Sequence, residues 1–384
     1  MINTVHPFPA RMAPDLALSS LLNLSEGCTI LDPMSGSGTV LRQAIELGHT
    51  AIGLDMDPLA VLMSRVWTSS VSDDVIDERF ASLMKSVRDV DPSVSLPWID
   101  DDVETRNFIE FWFGQKQISC LRRISFVLNE SINDSSNDIL RLALSRIIVT
   151  KEQGASLARD TSHSRPHRVA LTSDYDVLAG YEKSVKSLRR RLSQPRFKGV
   201  ASVELGDARC LTLESDSIDA AVTSPPYLNA IDYMRGHRMA LVWLGYSLID
   251  LRAIRSNSIG SERAPDTGSN VASSIRSAIG ETEALPRRYQ SMIDRYVGDV
   301  ERMTAEIARV LKPGGLATFV VGNSCLKGVY IKNAEAVSAA CQARGLHLQS
   351  LTERELPNQS RYLPVSTGAL AKRMRSEVIL TFEK

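Results

Sequence analysis

Residues 28–67 read CTILDPMSGSGTVLRQAIELGHTAIGLDMDPLAVLMSRVW and decide the fold. A short apolar run ends at Asp32, a glycine-rich segment follows, and apolar residues then recur at helical spacing before a second apolar run over residues 50–54. This order of strand, tight loop, helix and strand predicts the opening of a parallel α/β sheet. Asp57 and Pro58 then supply an N-cap and a first-turn proline, which predict that another helix begins here.

The loop after the first strand predicts a ligand site. Its glycines let the backbone approach a ligand closely, and the helix that follows presents free amide groups to a carboxylate. Leu41 stands where a dinucleotide-binding loop has its third glycine, and the loop lacks the lysine of a phosphate-binding loop. Dinucleotides and ATP are therefore disfavoured as ligands. Asp55, at the end of the second strand, is placed either to bind both hydroxyls of a ribose or to cap the next helix.

The alternation of strand and helix stops over residues 70–200. This segment begins acidic, continues with helical patterns and ends basic, with ten Lys or Arg residues against four Asp or Glu residues between positions 159 and 198. We interpret it as a mostly helical insertion, whose basic end either lies along phosphates or is a solvated helix face. The insertion separates residues 1–69 from residues 201–384, which we expect to form one α/β domain together.

Residues 201–384 predict the remaining elements of that domain. Lys-Pro-Gly-Gly at residues 312–315 is a helix-end signal, and the residues 256–284, rich in Ser and Gly, predict a mobile loop or a segment ordered by substrate. The expected strands cover residues 201–205, 218–222, 316–321, 348–356 and 377–382. The expected helices cover residues 230–248, 289–311 and 333–344.

Two motifs directly follow strands in this second part. In the Gly206-Asp207-Ala208 turn, an acid and a backbone amide can contact an adenine edge. Thr223-Ser224-Pro225-Pro226-Tyr227 comes after a buried strand, and neither proline can donate to a ladder, so the chain must leave the sheet there. The rigid exit directs the Ser224 hydroxyl and the Pro225 carbonyl at one point, while Tyr227 offers a flat face for stacking. Two such acceptors suit an aromatic amine, whose nitrogen gains positive charge as it attacks an electrophile.

Together these motifs resemble those of the DNA amino-methyltransferases, the family that makes N4-methylcytosine and N6-methyladenine. The resemblance implies a Rossmann-like class I methyltransferase fold, with a central, mostly parallel seven-stranded sheet flanked by helices and a large, mostly helical insertion. It implies S-adenosylmethionine as the cofactor. It also makes residues 1–69 and 201–384 the two parts of the catalytic domain, with the insertion as a candidate target-recognition region.

The resemblance also implies the residues of the site. Residues 6–12, HPFPARM, are similar to the separate cofactor motif of the family. Gly36 and Gly38 are implied to line the methionine part of the cofactor, Asp55 its ribose and Asp207 its adenine. The full implied cofactor set is Phe8, Pro9, Asp32, Pro33, Ser35, Gly36, Gly38, Thr39, Asp55, Met56, Asp207 and Ala208. The implied catalytic residues, against which the target base lies, are Ser224, Pro225, Pro226 and Tyr227.

The choice of base depends on the residue before the two prolines. Within the family, serine at this position is associated with cytosine-N4 enzymes, so cytosine N4 is favoured over adenine N6. A target amine inside a duplex is hidden in the base stack, so the hypothesis includes flipping of the base. Arg165, Arg168, Arg235, His237 and Arg238 are candidate contacts to DNA phosphates, with ordinary surface charges as the alternative.

Two other functions remain open from the sequence. One is an RNA base methyltransferase similar to the tRNA guanine-N2 enzymes, which share the Pro-Pro-Tyr motif. The other is a catalytically silent nucleic-acid-binding subunit on the same fold. DNA is the expected partner, and a cognate restriction nuclease or a separate specificity subunit is a candidate second partner.

Composition sets outer limits on these expectations. Lys plus Arg and Asp plus Glu both number 45, so binding of nucleic acid must depend on a local basic patch. The five cysteines are scattered, which predicts free thiols in a reducing cytoplasm. No apolar run approaches the ~18 residues of a membrane span, and His163 and His167 lack a third ligand. We therefore expect a cytoplasmic protein without a bound metal.

Overall fold

The computed structural model describes residues 4–8, 11–159, 166–193, 197–228, 232–259, 270–355 and 376–384. The chain folds into two compact units, and strands and helices are numbered along the whole chain. The helical unit comprises Met1–Pro9, Asp57–Phe197 and Asp232–Ile254. The sheet unit comprises Ala10–Met56, Lys198–Ile231 and Arg255–Lys384.

The sheet unit is built on a seven-stranded sheet. Its strands are β1 (Thr29–Asp32), β2 (Thr50–Asp55), β5 (Val200–Leu205), β6 (Ile218–Thr223), β7 (Leu311–Gly322), β10 (His347–Glu355) and β11 (Ser376–Glu383). Across the sheet their order is β5-β2-β1-β6-β7-β11-β10. The first five pair in parallel, whereas β11 runs antiparallel to both of its neighbours. This topology confirms the predicted Rossmann-like class I methyltransferase fold.

Helices of the sheet unit pack into two groups, α1 with α2 and α12 with α13 and α14. Their bounds are α1 (Pro14–Leu21), α2 (Thr39–Leu47), α12 (Asn270–Ala278), α13 (Arg287–Val310) and α14 (Asn333–Ala343), and a small hairpin joins β8 (Ser324–Leu326) to β9 (Val329–Ile331). In α13 the buried residues Ile293, Tyr296, Val300, Met303 and Ile307 recur every three or four positions. That spacing places them on one face of the helix, which packs into the core of this unit.

Residues 312–315, which the sequence predicted to end a helix, lie in a strand. Helix α13 does end at Val310, but the four residues are part of β7 and not of a loop before it. The pairing register shifts there, because Ile218 lies opposite Leu311 whereas Ala220 lies opposite Leu316. The irregularity accommodates the proline and the two glycines, and regular pairing resumes at Leu316, where the sequence predicted the strand to begin.

The helical unit contains nine helices and two short strands among the described residues. The helices are α3 (Pro58–Thr68), α4 (Asp73–Asp89), α5 (Pro97–Asp100), α6 (Val103–Trp112), α7 (Gln115–Glu130), α8 (Ser135–Ile148), α9 (Val177–Leu192), α10 (Met234–Leu241) and α11 (Leu248–Asn257), whose last three residues belong to the sheet unit. The strands β3 (Ala158–Arg159) and β4 (His167–Arg168) pair antiparallel. Helix α8 is buried around most of its surface and packs against α3, α4, α9 and α10, which makes it the centre of this core. As predicted, Asp57 caps α3 by accepting a hydrogen bond from the Leu59 amide at 2.9 Å.

The secondary structure differs from the sequence-based expectation in two further places. The single helix expected over residues 230–248 is shorter, because the chain turns at Gly245, whose φ of 100° ends the helical path before α11 begins. The segment 256–284 is not a loop throughout, since it contains α12. Ala272 and Ile275 of that helix are buried in the core of the sheet unit, while residues 260–269 lie outside the described part.

The two units also divide the chain differently from the expected domains. Residues 57–69 and 232–254, expected in the α/β domain, belong to the helical unit together with the insertion. Their apolar side chains, such as Met63 and Trp243, are buried in its core. Within the described ranges, no helix combines the length and the apolar character that crossing a membrane requires.

Candidate active site

Four parallel strands of the sheet unit end at the same edge of the sheet and carry the predicted polar residues there. Asp32 ends β1, Asp55 ends β2 and Thr223 ends β6, while Asp207 follows β5. The strand order changes direction between β1 and β6, because β2 and β5 lie on the other side of β1. Ligands of open α/β sheets bind outside the carboxyl ends of the strands at such a switch point. The topology therefore brings the separate sequence motifs together.

The loop between β1 and α2 is a tight turn held by a hydrogen bond within the loop and by two hydrogen bonds to the end of β2. Gly36 and Gly38 have φ values of 51° and 85°, which glycine adopts without steric cost. The Ser35 amide donates to the Leu54 carbonyl at 2.9 Å, and the Gly38 amide donates to the Ser35 carbonyl at 2.8 Å. The Gly36 amide donates to Asp55 Oδ2 at 2.8 Å. The implied methionine-binding loop and the implied ribose-binding carboxylate are thus in direct contact.

Two hydroxyl groups at the start of α2 indicate that this loop fits a polar ligand. The side-chain oxygens of Ser37 and Thr39 are buried and have no hydrogen-bond partner among the described residues. Buried hydroxyls are nearly always paired, so an unpaired couple is expected where a ligand completes the site. They lie beside the free amides of a helix amino terminus, which favour a carboxylate. The loop therefore fits the amino-acid part of S-adenosylmethionine.

Asp32 links the cofactor loop to the Ser-Pro-Pro-Tyr motif. Its side chain is buried, and Oδ1 accepts hydrogen bonds from the Thr223 hydroxyl at 2.7 Å and from the Met34 amide at 3.2 Å. Burial raises the pKa of Asp32 to about 7, although both hydrogen bonds act in the opposite direction. Pro33, directly after it, is also buried. Near neutral pH this carboxyl can therefore change its charge at the centre of the site.

Asp207, the implied adenine contact, is held by the arginine two residues later. Arg209 Nε donates to Asp207 Oδ1 at 2.9 Å and Nη2 to Oδ2 at 2.7 Å, and the Arg209 amide adds a third bond to Oδ1 at 2.9 Å. Burial opposes the ionisation of Asp207, but the bonds from Arg209 outweigh it and hold the pKa of Asp207 below its ordinary value. Asp207 is therefore a fixed carboxylate beside the buried Ala208.

Arg209 is a residue of this site that the sequence analysis missed. Besides Asp207, its guanidinium binds the fully buried Asp299 of α13 at 2.6 Å and donates to the Asn257 carbonyl at the end of α11. Its Nη2 also lies 3.9 Å from Met56 Sδ, so it touches a second implied cofactor residue. The position of Arg209 beside the Gly206-Asp207-Ala208 turn is visible in the sequence. Its ion pair with Asp299 of α13 could not be predicted, because the two residues are 90 positions apart.

Ser224 makes one hydrogen bond that defines its chemistry. Its hydroxyl donates to the Val320 carbonyl of β7 at 2.9 Å. Because that bond uses the only proton of the hydroxyl, the oxygen can act toward any further group only as an acceptor. The neighbouring Pro225 carbonyl accepts no hydrogen bond from any residue that the structure describes. The exit from β6 therefore carries two acceptors side by side along the chain.

The rest of the exit is anchored to β7 and α14. The Leu228 amide donates to the buried Asn333 side chain at 3.3 Å, and Asn333 in turn donates to the Gly322 carbonyl at 3.1 Å. The Tyr227 ring lies over Gly322, where an added Cβ would come within 3.3 Å of the ring. Burial raises the pKa of the Tyr227 phenol, which keeps it neutral. Gly322 and Asn333 thus fix the stacking face, and the sequence analysis identified neither.

Phe8 and His237, which the sequence analysis placed in two different roles, meet in one cluster of the helical unit. Phe8 stacks on Tyr233, with 4.9 Å between ring centroids and an interplanar angle of 9°, and lies 5.8 Å from the His237 ring. His237 is only 6% exposed, and its Nδ1 is hydrogen-bonded to Asp57. This corrects the interpretation of His237, because a buried ring bound to Asp57 is unsuited to contact a phosphate. Its role in this unit is to join α10 to the start of α3.

Of the other candidate DNA contacts in the helical unit, Arg168 and Arg235 are exposed and Arg238 is half-buried. The guanidinium of Arg168 lies over the exposed Phe111 ring at 4.5 Å, and that of Arg238 lies over the Phe108 ring at 5.1 Å. Arg235 lies 3.9 Å from Asp232. Pro9 and Arg165, also named from the sequence, lie outside the described residues. Among the residues that the structure describes, no cluster of His, Cys, Asp and Glu side chains could hold a metal ion.

The curated proteins that are similar in sequence to this chain are Type II methyltransferases. No protein-family model matches the chain. The chain is 22% identical to the Type II methyltransferase M.MvaI of Kocuria varians, over 98% of its own length and 89% of that protein. It is 23% identical to the Type II methyltransferase M.BsoBI of Geobacillus stearothermophilus, over 78% of its own length and 69% of that protein.

Solved structures are more distant from this chain. An S-adenosylmethionine-dependent methyltransferase of Methanosarcina mazei aligns with 94% of the chain and 95% of its own, with 10% identity and a TM-score of 0.33. The order and direction of the seven strands define the fold of this chain.

Proposed function

We infer that this chain, which belongs to the DNA amino-methyltransferase family, transfers a methyl group from S-adenosylmethionine to an exocyclic amine of a DNA base. The observation that carries the proposal is the hydrogen bond from the Ser224 hydroxyl to the Val320 carbonyl. It leaves Ser224 and the Pro225 carbonyl as two acceptors for the two N–H bonds of one amine. S-adenosylmethionine supplies an electrophilic methyl group on a sulfonium.

The two acceptors act on the amine nitrogen of the target base. The nitrogen lone pair of an aromatic amine is delocalised into the ring, which makes it a weak nucleophile. Hydrogen bonds from its two N–H groups to Ser224 Oγ and the Pro225 carbonyl become stronger as positive charge develops on that nitrogen. The same bonds orient the nitrogen toward the methyl group, so most of the acceleration comes from position and from fixed dipoles.

Tyr227 holds the base while the amine reacts. A flipped base loses its stacking partners in the duplex, at a cost of a few kcal/mol. Stacking on an aromatic side chain recovers ~1–3 kcal/mol of that cost. The ring of Tyr227 is fixed over Gly322, and the loop after it is tied to Asn333, so the stacking face is in place before the base arrives.

The cofactor is held by the polar residues at the other strand ends. We assign the amino-acid part to the loop of Ser35, Gly36 and Gly38 with the hydroxyls of Ser37 and Thr39. We assign the ribose to Asp55 and the adenine to Asp207 with Met56 and Ala208 beside it. Arg209 is a positioning residue in this scheme, because it fixes the Asp207 carboxylate and contacts Met56. Phe8 and Pro9 of the amino-terminal motif stay assigned to the cofactor only by resemblance.

Cytosine N4 is the proposed target atom, and adenine N6 is the alternative. The preference rests on Ser224 at the position before the two prolines. We also propose that a restriction nuclease with the same recognition sequence accompanies the enzyme, because the relatives are Type II methyltransferases.

Nucleoside analysis of a reaction product tests the function and the base together. The purified protein is incubated with duplex DNA and S-adenosylmethionine labelled in its methyl group, and the DNA is digested to nucleosides for mass spectrometry. Labelled N4-methylcytosine is the expected product, whereas labelled N6-methyladenine would move the assignment to the alternative base. Parallel reactions with single-stranded DNA and total tRNA identify the substrate class. Label in tRNA alone would overturn the proposal.

A further inference from the structure

A short β-ribbon of the helical unit carries an unusual set of exposed side chains. The ribbon surface is defined here as Arg159, His167, Arg168, Val169, Leu171 and Phe111. All six residues are exposed, and the apolar ones strongly so, with Phe111 at 48%, Val169 at 54% and Leu171 at 81%. Exposed apolar side chains grouped together with polar ones around them are typical of an interaction surface.

The ribbon is attached to the core at its base, so these side chains are held in place. Ala158 pairs with Arg168 and Arg159 pairs with His167 across the two strands. Just before them, the Leu157 amide donates to the Trp112 carbonyl at 2.8 Å, and the Val169 amide donates to the Leu157 carbonyl at 3.0 Å. Residues 154–158 are all buried. The ribbon therefore projects from a fixed base.

The two faces of the ribbon differ in what they present. Arg159 and His167 are directly opposite each other, so their side chains lie on the same face. Arg168 lies on the other face, where its guanidinium covers the Phe111 ring at 4.5 Å. A guanidinium held over an aromatic ring keeps the N–H groups of its edge for hydrogen bonds. Such an edge forms paired hydrogen bonds with the O6 and N7 atoms of guanine.

The charge of this segment is complementary to a polyanion. Among the described residues of the ribbon, Arg159, His167 and Arg168 are of basic types and none is acidic, in a chain whose acidic and basic residues are equal in number. The major groove of duplex DNA admits a two-stranded ribbon. Arg159 and His167, on the opposite face of the ribbon from Arg168, are suited to hydrogen bonds with the phosphates.

We propose that the ribbon surface enters the major groove of the DNA substrate and determines which sequence is methylated, with Arg168 as the guanine contact. The proposal rests on the function proposed above, since it names the element that selects the site of that reaction. Arg168, held over Phe111, supplies the selectivity. Arg159 and His167 bind phosphates and contribute affinity without selectivity.

Mapping of methylated positions tests the proposal. The full-length protein methylates a library of duplex DNA with randomised sequence, and sequencing gives the preference at each position of the site. Arg168→Ala is expected to lower the preference at one base pair by about 10-fold to 100-fold. Arg168→Lys should show most of the same loss, because lysine keeps the charge but lacks the planar fork. Affinity for S-adenosylhomocysteine, measured by titration calorimetry, should stay unchanged in both variants.

A matched control separates base contact from general charge. Arg190 is another exposed arginine of the same unit, on α9, so Arg190→Ala removes the same charge at a place without a ribbon. It is expected to leave the preference at every position unchanged. A site pattern that Arg168→Ala does not alter, or that Arg190→Ala alters as much, overturns the proposal. A change in the self-association of the DNA-free protein, with site preference retained, would also overturn it and assign the surface to a protein partner.

The reaction of the wild-type protein distinguishes failure of the proposed function from failure of the ribbon proposal alone. If wild-type protein binds S-adenosylhomocysteine but transfers no methyl group to any DNA, the proposed function fails, and the ribbon proposal fails with it. If the wild type methylates DNA at a defined sequence and the Arg168 variants methylate the same sequence, only the ribbon proposal fails.

Discussion

The sheet unit and the helical unit place their polar side chains in different ways. In the sheet unit, polar residues follow apolar strands, and the parallel arrangement brings Asp32, Asp55 and Asp207 to one edge. In the helical unit, polar residues are spread over helix surfaces, and the hydrogen-bonded pair of His237 and Asp57 joins two helices. In a parallel sheet, residues that are far apart in the sequence come together because the strands end at one edge. A helical core has no such common edge. Exposed features of the helical unit are therefore expected to contact partners.

The largest effect is expected at the acceptor pair of the sheet unit. Ser224→Ala removes one acceptor of the target amine and should lower the methyl-transfer rate about 100-fold to 1000-fold, as the loss of a preorganised hydrogen bond does elsewhere. Affinity for S-adenosylhomocysteine should not change. Ser217→Ala is the control, because the Ser217 hydroxyl also donates to a carbonyl, that of Glu214 at 2.7 Å, outside the site. Single-turnover transfer that is equally fast in both variants would exclude the role of Ser224.

Asp32 should make the stability of the cofactor-free protein depend on pH. Its raised pKa, about 7, means that the folded state favours the neutral carboxyl. This contribution to stability is fully present below the ordinary pKa of ~4 and is lost as the pH rises through about 7. Between pH 5 and pH 8 the wild type should lose on the order of 3 kcal/mol relative to Asp32→Asn in urea unfolding.

Asp219→Asn provides the control for this pH dependence. Burial of Asp219 is outweighed by its bonds to Lys312 and to the Thr29 amide, so its pKa is lowered. The stability that it contributes is lost only in acid, below the range of the measurement. Asp219→Asn should therefore follow the wild type between pH 5 and pH 8. If Asp32→Asn also follows the wild type, the carboxyl of Asp32 has an ordinary pKa.

Arg209 should affect the cofactor more than the transfer step. Arg209→Met leaves Asp207 without its clamp and should weaken binding of S-adenosylhomocysteine about 10-fold, since one charge-assisted hydrogen-bond network is lost. Arg302→Met is the matched control, because Arg302 also binds Asp299, at 2.9 Å, but has no bond to Asp207. Calorimetric titration of both variants, with thermal unfolding as a check on folding, measures the difference. Equal affinities in the two variants would assign Arg209 to stability alone.

The smallest effects are expected in the helical unit. His237→Ala removes the bond to Asp57 and should destabilise this unit by about 1–2 kcal/mol without changing the salt dependence of DNA binding. Arg235→Ala at the surface should instead leave stability unchanged and lower the slope of log affinity against log salt by about 1. Fluorescence titrations of duplex DNA at several salt concentrations measure both slopes. A reduced slope for His237→Ala would restore this side chain as a phosphate contact.

Much of the site could be predicted because its residues follow apolar runs in the sequence. Asp32, Asp55, Asp207 and Ser224 each come at or just after the end of a strand, and the carboxyl ends of parallel strands share one edge. The partners of these residues could not be predicted in this way. Ser224 binds a backbone carbonyl 96 residues away, and the Leu228 amide binds a side chain 105 residues away. Neither a carbonyl nor a single asparagine carries a local sequence pattern.

The sequence by itself determined the order of the sheet strands along the chain, the glycine loop and the proline exit, because periodicity and backbone restriction act over a few neighbouring residues. Only the tertiary structure decided that the Ser224 hydroxyl donates a hydrogen bond to the Val320 carbonyl, that Arg209 binds the Asp207 carboxylate, and that His237 is buried. It also decided that Arg168 lies on an exposed Phe111. These relations join residues far apart in the chain, and they exist only once packing has brought those residues within contact distance.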